Sequence, residues 1–147
     1  MKIAAIVEAR MNSTRLPGKH LLRVGNNTMF EVLIDQLRYS RNISEIILAT
    51  TINKSDDCLA QIATNLGLTV YRGDEDNVYQ RVVGAALTNA VDLIVEITAD
   101  CPLIDPTIID AAVKYYLDGD FDYVSNCVNR VYPDGMDVQV YSSELLR

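Results

Sequence analysis

Residues 2–19 read KIAAIVEARMNSTRLPGK, and the change of character after Glu8 decides the architecture. Lys2–Glu8 is a short apolar run of strand length that opens the domain as a buried strand. A polar loop with a Pro17-Gly18 turn comes next and continues to Asn27. A helix signal comes only with Thr28 and Glu31, which are spaced as a capping box. Met29, Phe30, Leu33 and Leu37 then recur at helical spacing.

Outward from that unit, strand and helix alternate. Glu45–Thr50 reads as a second strand. Leu59, Ile62, Ala63 and Leu66 mark a helix that Gly67 stops. Thr69–Arg72 is a short strand, Gly73-Asp74-Glu75-Asp76 a polar turn, and Asn77–Asn89 a helix with Val78, Val82, Ala85 and Ala86 inward. Leu93–Thr98 reads as a central strand. Asp105 caps the next helix with Pro106 at its first position, and Ile109, Ala112, Val113 and Tyr116 form its apolar stripe. Tyr123–Cys127 and Met136–Tyr141 read as two further strands. Alternating β and α units imply a mostly parallel sheet with helices on both faces. Ligands in such sheets bind beyond the carboxyl ends of the strands, so the loops after Glu8, Thr50, Arg72 and Thr98 are where chemistry is expected.

The 147 residues are one domain's worth, and with 49% apolar or aromatic residues the chain can bury a core. No apolar run approaches a membrane span, and no signal peptide opens the chain. Cys58, Cys101 and Cys127 suit neither a disulfide framework nor a zinc site, so a reducing cytoplasm is expected. A net charge of −7 argues against a nucleic-acid or anionic-membrane surface. The charge is unevenly spread. Ala9–Phe30 carries four bases and no acid, whereas Asp92–Asp122 carries eight acids and one base, Lys114. Such a chain can hold a polyphosphate where its bases are concentrated and a cation serves the acidic side.

The loop after the first strand is neither a Walker A loop nor a GxGxxG turn. Arg10, Arg15 and Lys19 supply fixed positive charge, Ser13 and Thr14 supply donors, and Gly18 lets the chain bend close to a ligand. Phosphate cradle and plain surface loop are equally open readings of it. Asp100 follows a central strand, where a carboxylate is well placed for Mg²⁺, and Asp105 already fills the helix-capping role nearby. The single histidine, His20, reads as a loop residue. Asp118-Gly119-Asp120 reads as a turn at the wrong end of the sheet, and Cys101 as a small buried residue. Tyr115, Tyr116 and Tyr123 read as core or subunit-interface residues.

Residues 3–22, IAAIVEARMNSTRLPGKHLL, resemble the opening of the cytidylyltransferases related to the spore-coat polysaccharide type, within the group that makes CMP-activated acidic sugars. VYRGDEDNVYQRV at 70–82, EITADCPLIDP at 96–106 and YPDGMDVQVYSSE at 132–144 resemble, in order, that group's second nucleotide loop, metal-binding strand end and sugar-side segment. The resemblance implies a Rossmann-like, GT-A-like nucleotidyltransferase domain, a three-layer α/β/α arrangement with a mostly parallel sheet. It implies Mg²⁺-dependent transfer of CMP from CTP to an acidic sugar, with pyrophosphate leaving. By position, Ala9, Arg10, Ser13, Thr14, Arg15 and Lys19 would bind the triphosphate. Arg72, Asn77 and Arg81 would lie near base and ribose, and Asp76 would contact ribose or cap the helix. Asp100 would hold the metal, with Arg10, Arg15 and Lys19 as its partners in catalysis. Asp134, Gly135 and Asp137 would border the acceptor sugar, in a segment through which two copies would pair.

The chain departs from the family pattern at Glu8, Asn12, Glu96 and Ala99, where the family commonly has Gln, Gly, Arg and Gly. Glu8 beside a phosphate loop is unwelcome unless it points to the base or pairs with Arg10. The chain stops at Tyr141-Ser142-Ser143-Glu144-Leu145-Leu146-Arg147, where a helix is expected to begin, and family members continue for roughly half this length again. C-terminal truncation, with loss of a second metal-binding aspartate, is the corresponding expectation. A glycosyltransferase or other nucleotide-sugar transferase on the same scaffold, and a truncated non-catalytic nucleotide-binding module, stay open beside the main reading.

Overall fold

Strand β1, Ile3–Glu8, lies inside the sheet with parallel neighbours on both sides, and it is buried from Ile3 to Val7. A strand covered on both faces needs a continuous apolar run, which this one has. The computed structural model describes residues 1–146. After β1 come a single 3₁₀ turn at Lys19–Leu21 and a two-residue hairpin, β2 (Arg23–Val24) and β3 (Asn27–Thr28). That hairpin lies within the stretch expected to be loop. Gly25 at φ 62 makes its tight turn possible.

Helix α1, Met29–Arg38, starts at the expected capping box: Thr28 Oγ1 accepts from the Glu31 N–H, and Glu31 accepts from the Thr28 N–H. Then come β4 (Glu45–Thr51), α2 (Asp57–Asn65), β5 (Thr69–Gly73), α3 (Val78–Thr88), β6 (Leu93–Thr98) and α4 (Pro106–Asp118). Asp105 caps α4 through the Thr107 N–H, with Pro106 at the first helical position. The chain closes with β7 (Tyr123–Ser125), β8 (Gln139–Ser142) and a 3₁₀ turn over Ser143–Leu146, where a helix was expected. Strand β7 is shorter than the sequence suggests. Asn126 turns its amide to the Val138 N–H and the Met136 carbonyl, replacing ladder bonds with side-chain ones.

The main sheet has the order β5-β4-β1-β6-β8-β7. Strands β5, β4, β1 and β6 are parallel, and β8 runs antiparallel to both β6 and β7. Helices α1, α2 and α4 cover one face, packing on Ile3, Ala5, Val7, Leu93, Val95 and Ile97. Helix α3 covers the other, packing Val82, Ala85 and Ala86 on Ala4, Ile6, Ile47 and Ile94. This is the mostly parallel three-layer α/β/α arrangement expected. The chain leaves β1 for β4 and β5 on one side, then returns through α3 to lay β6 on the other. The strand order therefore reverses between β1 and β6, and a crevice opens there at their carboxyl ends. Among the described residues no helix is long and apolar enough to cross a membrane.

Candidate functional site

The loops after β1 and β6 must leave the sheet side by side, because Glu8 is paired in register with Thr98. Between them lies a cleft of about 250 Å³. Ala9, Arg10, Ser13, Thr14, Arg15 and Lys19 line it from the first loop, and Thr98, Ala99 and Asp100 from the second. Glu8 and the α3 residues Val78 and Arg81 complete the wall. The cationic loop and the strand-end acid, distant in sequence, thus share one hollow.

The first loop holds its shape through its own backbone. Ser13 and Gly18 both donate to the Met11 carbonyl at 2.9 Å, and Gly18 sits at φ 71, a conformation that favours glycine. Asp56 fixes the base of this loop. Its buried carboxylate accepts from the Met11 N–H at 2.7 Å, from the Thr50 hydroxyl and from Thr51. The sequence pattern did not single out Asp56. Its only signal is an acid just before α2, which reads as a cap, and it makes no side-chain cap bond there.

His20 also corrects the sequence reading. The loop residue expected there is buried within the 3₁₀ turn, with Nδ1 3.3 Å from the Ala99 carbonyl, so it pins that turn to the end of β6. Burial and then the nearby Lys19 ammonium push its pKa down, which leaves a neutral imidazole.

Lys19 Nζ meets Asp100 Oδ2 at 2.6 Å across the cleft. Burial alone would raise the Asp100 pKa, but the hydrogen bonds from Lys19 and Thr98 outweigh it and hold the carboxyl below its usual range. Arg10 turns the other way. Its Nη1 reaches the Glu75 carbonyl at 3.3 Å and the Glu75 carboxylate at 3.7 Å. Glu75 also accepts from Asn12 and Asn53, and so ties together the loops after β1, β4 and β5.

Arg81, on the first turns of α3, is 2% exposed. Its Nη1 donates to the Asp74 and Glu75 carbonyls at 2.7 and 2.8 Å, while its Nε has no partner. Glu8 faces it. Burial, a hydrogen bond to the Glu96 carboxyl and the charge on Glu96 push the Glu8 pKa up to about 8, against a smaller opposing pull from Arg81. Glu8 does not pair with Arg10, which is engaged by Glu75; after burial the neighbour that weighs most on its carboxyl is Glu96.

Several residues assigned through the resemblance lie outside this cleft. Arg72 is two strands away from β1, on β5. Its guanidinium is engaged by the Thr51 and Asn53 carbonyls and by Asp57 at 2.6 Å. Asn77, not Asp76, caps α3, accepting from the Gln80 N–H at 2.9 Å, and Asp76 is exposed with its N–H on Asp74. Asp134 and Asp137 both pair with Arg130, and Gly135 makes the turn between them at φ 91. These three stand apart because β8 lies beyond β6 and enters antiparallel. Asp118 ends α4 in an exposed pair with Lys114, as expected of a turn.

Among the described residues no group of three or more His, Cys, Asp or Glu could hold a metal alone. A single strand-end carboxylate beside a cationic loop nevertheless suits Mg²⁺, which needs one or two carboxylates when phosphate oxygens and water complete its shell.

A mostly parallel sheet whose switch point carries a cationic loop opposite one acid defines an α/β domain with its candidate site at the strand ends. The chain matches the cytidylyltransferase family over residues 4–137 and belongs to that family. It is 31% identical over 150 residues to the spore coat polysaccharide biosynthesis protein SpsF of Bacillus subtilis, covering 98% of this chain and 60% of that protein. It is 35% identical over 114 residues to the 3-deoxy-manno-octulosonate cytidylyltransferase of Solibacter usitatus, covering 76% of this chain and 44% of the relative. The chain thus spans about half the length of these relatives. The structure of a cytidylyltransferase from Leptospira borgpetersenii matches with a TM-score of 0.95 at 36% identity, over 99% of this chain and 62% of the other.

Proposed function

We propose that this chain is the nucleotide-binding part of a cytidylyltransferase that moves CMP from CTP to the hydroxyl of an acidic sugar for surface polysaccharide synthesis. The observation that carries this reading is the Lys19–Asp100 pair, 2.6 Å apart in the cleft at the strand-order reversal. The names of the relatives support the choice of CTP and of an acidic acceptor. Asp100 would hold Mg²⁺ together with phosphate oxygens, and the ion would supply neutralising charge there.

The remaining work falls to the chain. Ser13, Thr14 and the loop cations hold the β- and γ-phosphates. Lys19 gives up Asp100 for the phosphate tail. The acceptor oxygen attacks the α-phosphorus in line, the bond to the β-phosphate oxygen breaks, and the hydroxyl proton passes to water. Arg10, Arg15 and Lys19 stabilise the charge that builds on departing pyrophosphate. Catalysis of this kind is positioning plus fixed electrostatics, and His20 serves it by holding the loop against β6 without adding charge.

Three free cysteines fit a cytoplasmic setting. The exposed Val128, Val131 and Tyr132 support pairing of two copies through the segment before β8.

Pyrophosphate release from CTP with Mg²⁺ and an acidic 2-keto sugar tests the reading. Asp100→Asn is expected to abolish turnover with the fold retained, and Lys19→Ala to weaken CTP binding at least about tenfold. Unchanged release in both variants sinks the assignment. Because the chain covers about half of its relatives, a second reading is a module that binds the nucleotide without turnover. CTP binding by calorimetry with no pyrophosphate released would select it.

A further inference from the structure

Two chemically different groups of side chains line the cleft. Arg10, Arg15 and Lys19 supply positive charge, and Glu8 and Val78 stand with Arg81, whose Nη1 shares the Glu75 carbonyl with Arg10. The second group is built, not incidental. Glu8 on β1 and Glu96 on β6 lie on the same face of the sheet, because Ile6 is in register with Glu96 and side chains alternate along a strand. The Tyr141 hydroxyl, reaching across from β8, donates to Glu96 Oε2. Glu96 is thereby held from the far side, on the same sheet face as Glu8. Glu8 itself lines the cleft, where a carboxyl oxygen can accept a hydrogen bond.

Beside it, Arg81 is 98% buried, and its Nε–H has no acceptor. A buried N–H of this kind is a standing demand for a ligand atom. Val78, 37% exposed, adds an apolar wall against which a flat ring can lie. A flat ring that lies on Val78, offers a donor to Glu8 and offers an acceptor to Arg81 satisfies these three side chains together.

We infer that Glu8 is a specificity-determining residue that reads the nucleobase, accepting a hydrogen bond from an exocyclic amine such as cytosine N4 while Arg81 donates to the adjoining ring edge. Carboxylates are natural acceptors for the cytosine amine. Uracil presents a carbonyl oxygen where cytosine presents the amine, so two acceptors would face each other and the wrong pyrimidine would be rejected. The inference rests on the proposed reading of the cleft as a nucleotide site, and it adds which atom of the chain selects the base. Glu96 and Tyr141 are positioning residues, acting on the ligand only through Glu8.

The test is calorimetric binding of CTP and of UTP, each with Mg²⁺, to the 147-residue chain and its variants. The unaltered chain is expected to prefer CTP by on the order of tenfold or more. Glu8→Ala should bring the two affinities to within about twofold, mainly by weakening CTP, whereas Glu8→Gln, which keeps a carbonyl oxygen facing the cleft, should retain the preference. Should Glu8→Ala not fold, Glu8→Asp, which withdraws the oxygen by one methylene, must also lose most of it. A CTP preference unchanged in Glu8→Ala or Glu8→Asp overturns the inference, as does its loss in Glu8→Gln. An unaltered chain that binds CTP and UTP equally defeats the role of Glu8 and leaves the nucleotide site standing. A chain that binds neither defeats both.

Discussion

The face of the sheet under α1, α2 and α4 is apolar along its whole length, and the face under α3 is apolar only halfway. On the first, Ile3, Ala5 and Val7 of β1 and Leu93, Val95 and Ile97 of β6 meet Phe30, Leu33, Ile34 and Leu37. On the second, Ala4, Ile6 and Ile94 continue into Glu8, Glu96, Thr98, Arg81 and Tyr141 as the strands approach their carboxyl ends. Burial of apolar area stabilises by roughly 25 cal/mol per Å², so the uniform face carries the larger share of the fold. The mixed face gives up part of that share. Its polar groups are desolvated, mutually paired and directed at the cleft, which is how a site acquires shifted proton affinities and unmet hydrogen bonds. The same two strands therefore serve stability on one side and recognition on the other.

That contrast can be broken most directly on the apolar face. Phe30 is fully buried there, and Phe30→Ala is expected to remove about 3–5 kcal/mol in urea unfolding without altering the ratio of CTP to UTP binding. A loss below about 1 kcal/mol would show that this face does not carry the fold.

The mixed face makes a pH prediction. With the Glu8 pKa raised from 4.5 to about 8, the folded chain keeps a proton that the unfolded chain releases across that window. Stability should therefore fall as pH rises between these values and level off above the higher one. Burial sets most of the shift, and Glu96, Arg81 and Asp100 are the charged groups that modify it. Glu8→Gln should flatten the decline, with a difference from the parent on the order of 5 °C in Tm between about pH 5 and about pH 9. Parallel Tm curves for the two proteins would remove Glu8 as the titrating group.

The smallest effect is the sharpest. Tyr141→Phe deletes only the hydroxyl that Glu96 accepts from, and should cost about 1 kcal/mol. It should also loosen the CTP preference, because Glu96 then no longer holds Glu8 in place. Loss of stability with an unchanged preference would confine Tyr141 to a structural part.

Much of this was legible beforehand. The segments read as strands at 2–8, 45–50, 69–72 and 93–98 form the parallel strands to within a residue at each end, and the caps at Thr28–Glu31 and Asp105–Pro106 form as their spacing indicates. The strand-end rule located the cleft, and the clustering of Arg10, Arg15 and Lys19 marked its cationic side. Illegible were the partners. Arg72 looked as available as Arg81, yet one is engaged by β4 carbonyls and an aspartate while the other retains an unpaired N–H at the cleft. Asp56 carried no distinguishing signal and braces a loop 45 residues away. His20 reads as a loop residue and is buried against β6.

The sequence by itself determined the four parallel strands, the four α-helices with the caps of the first and last, and which end of the sheet carries the cleft. Those features stem from side-chain period, backbone preference and capping, all settled within a few residues. Only the tertiary structure decided that Glu8 faces Glu96, that Lys19 meets Asp100, and that Arg81 is left with something to donate. Such pairings depend on strand order and register, which bring together groups 81 to 88 positions apart, and the free energy of a buried charge is set by the neighbours it acquires there.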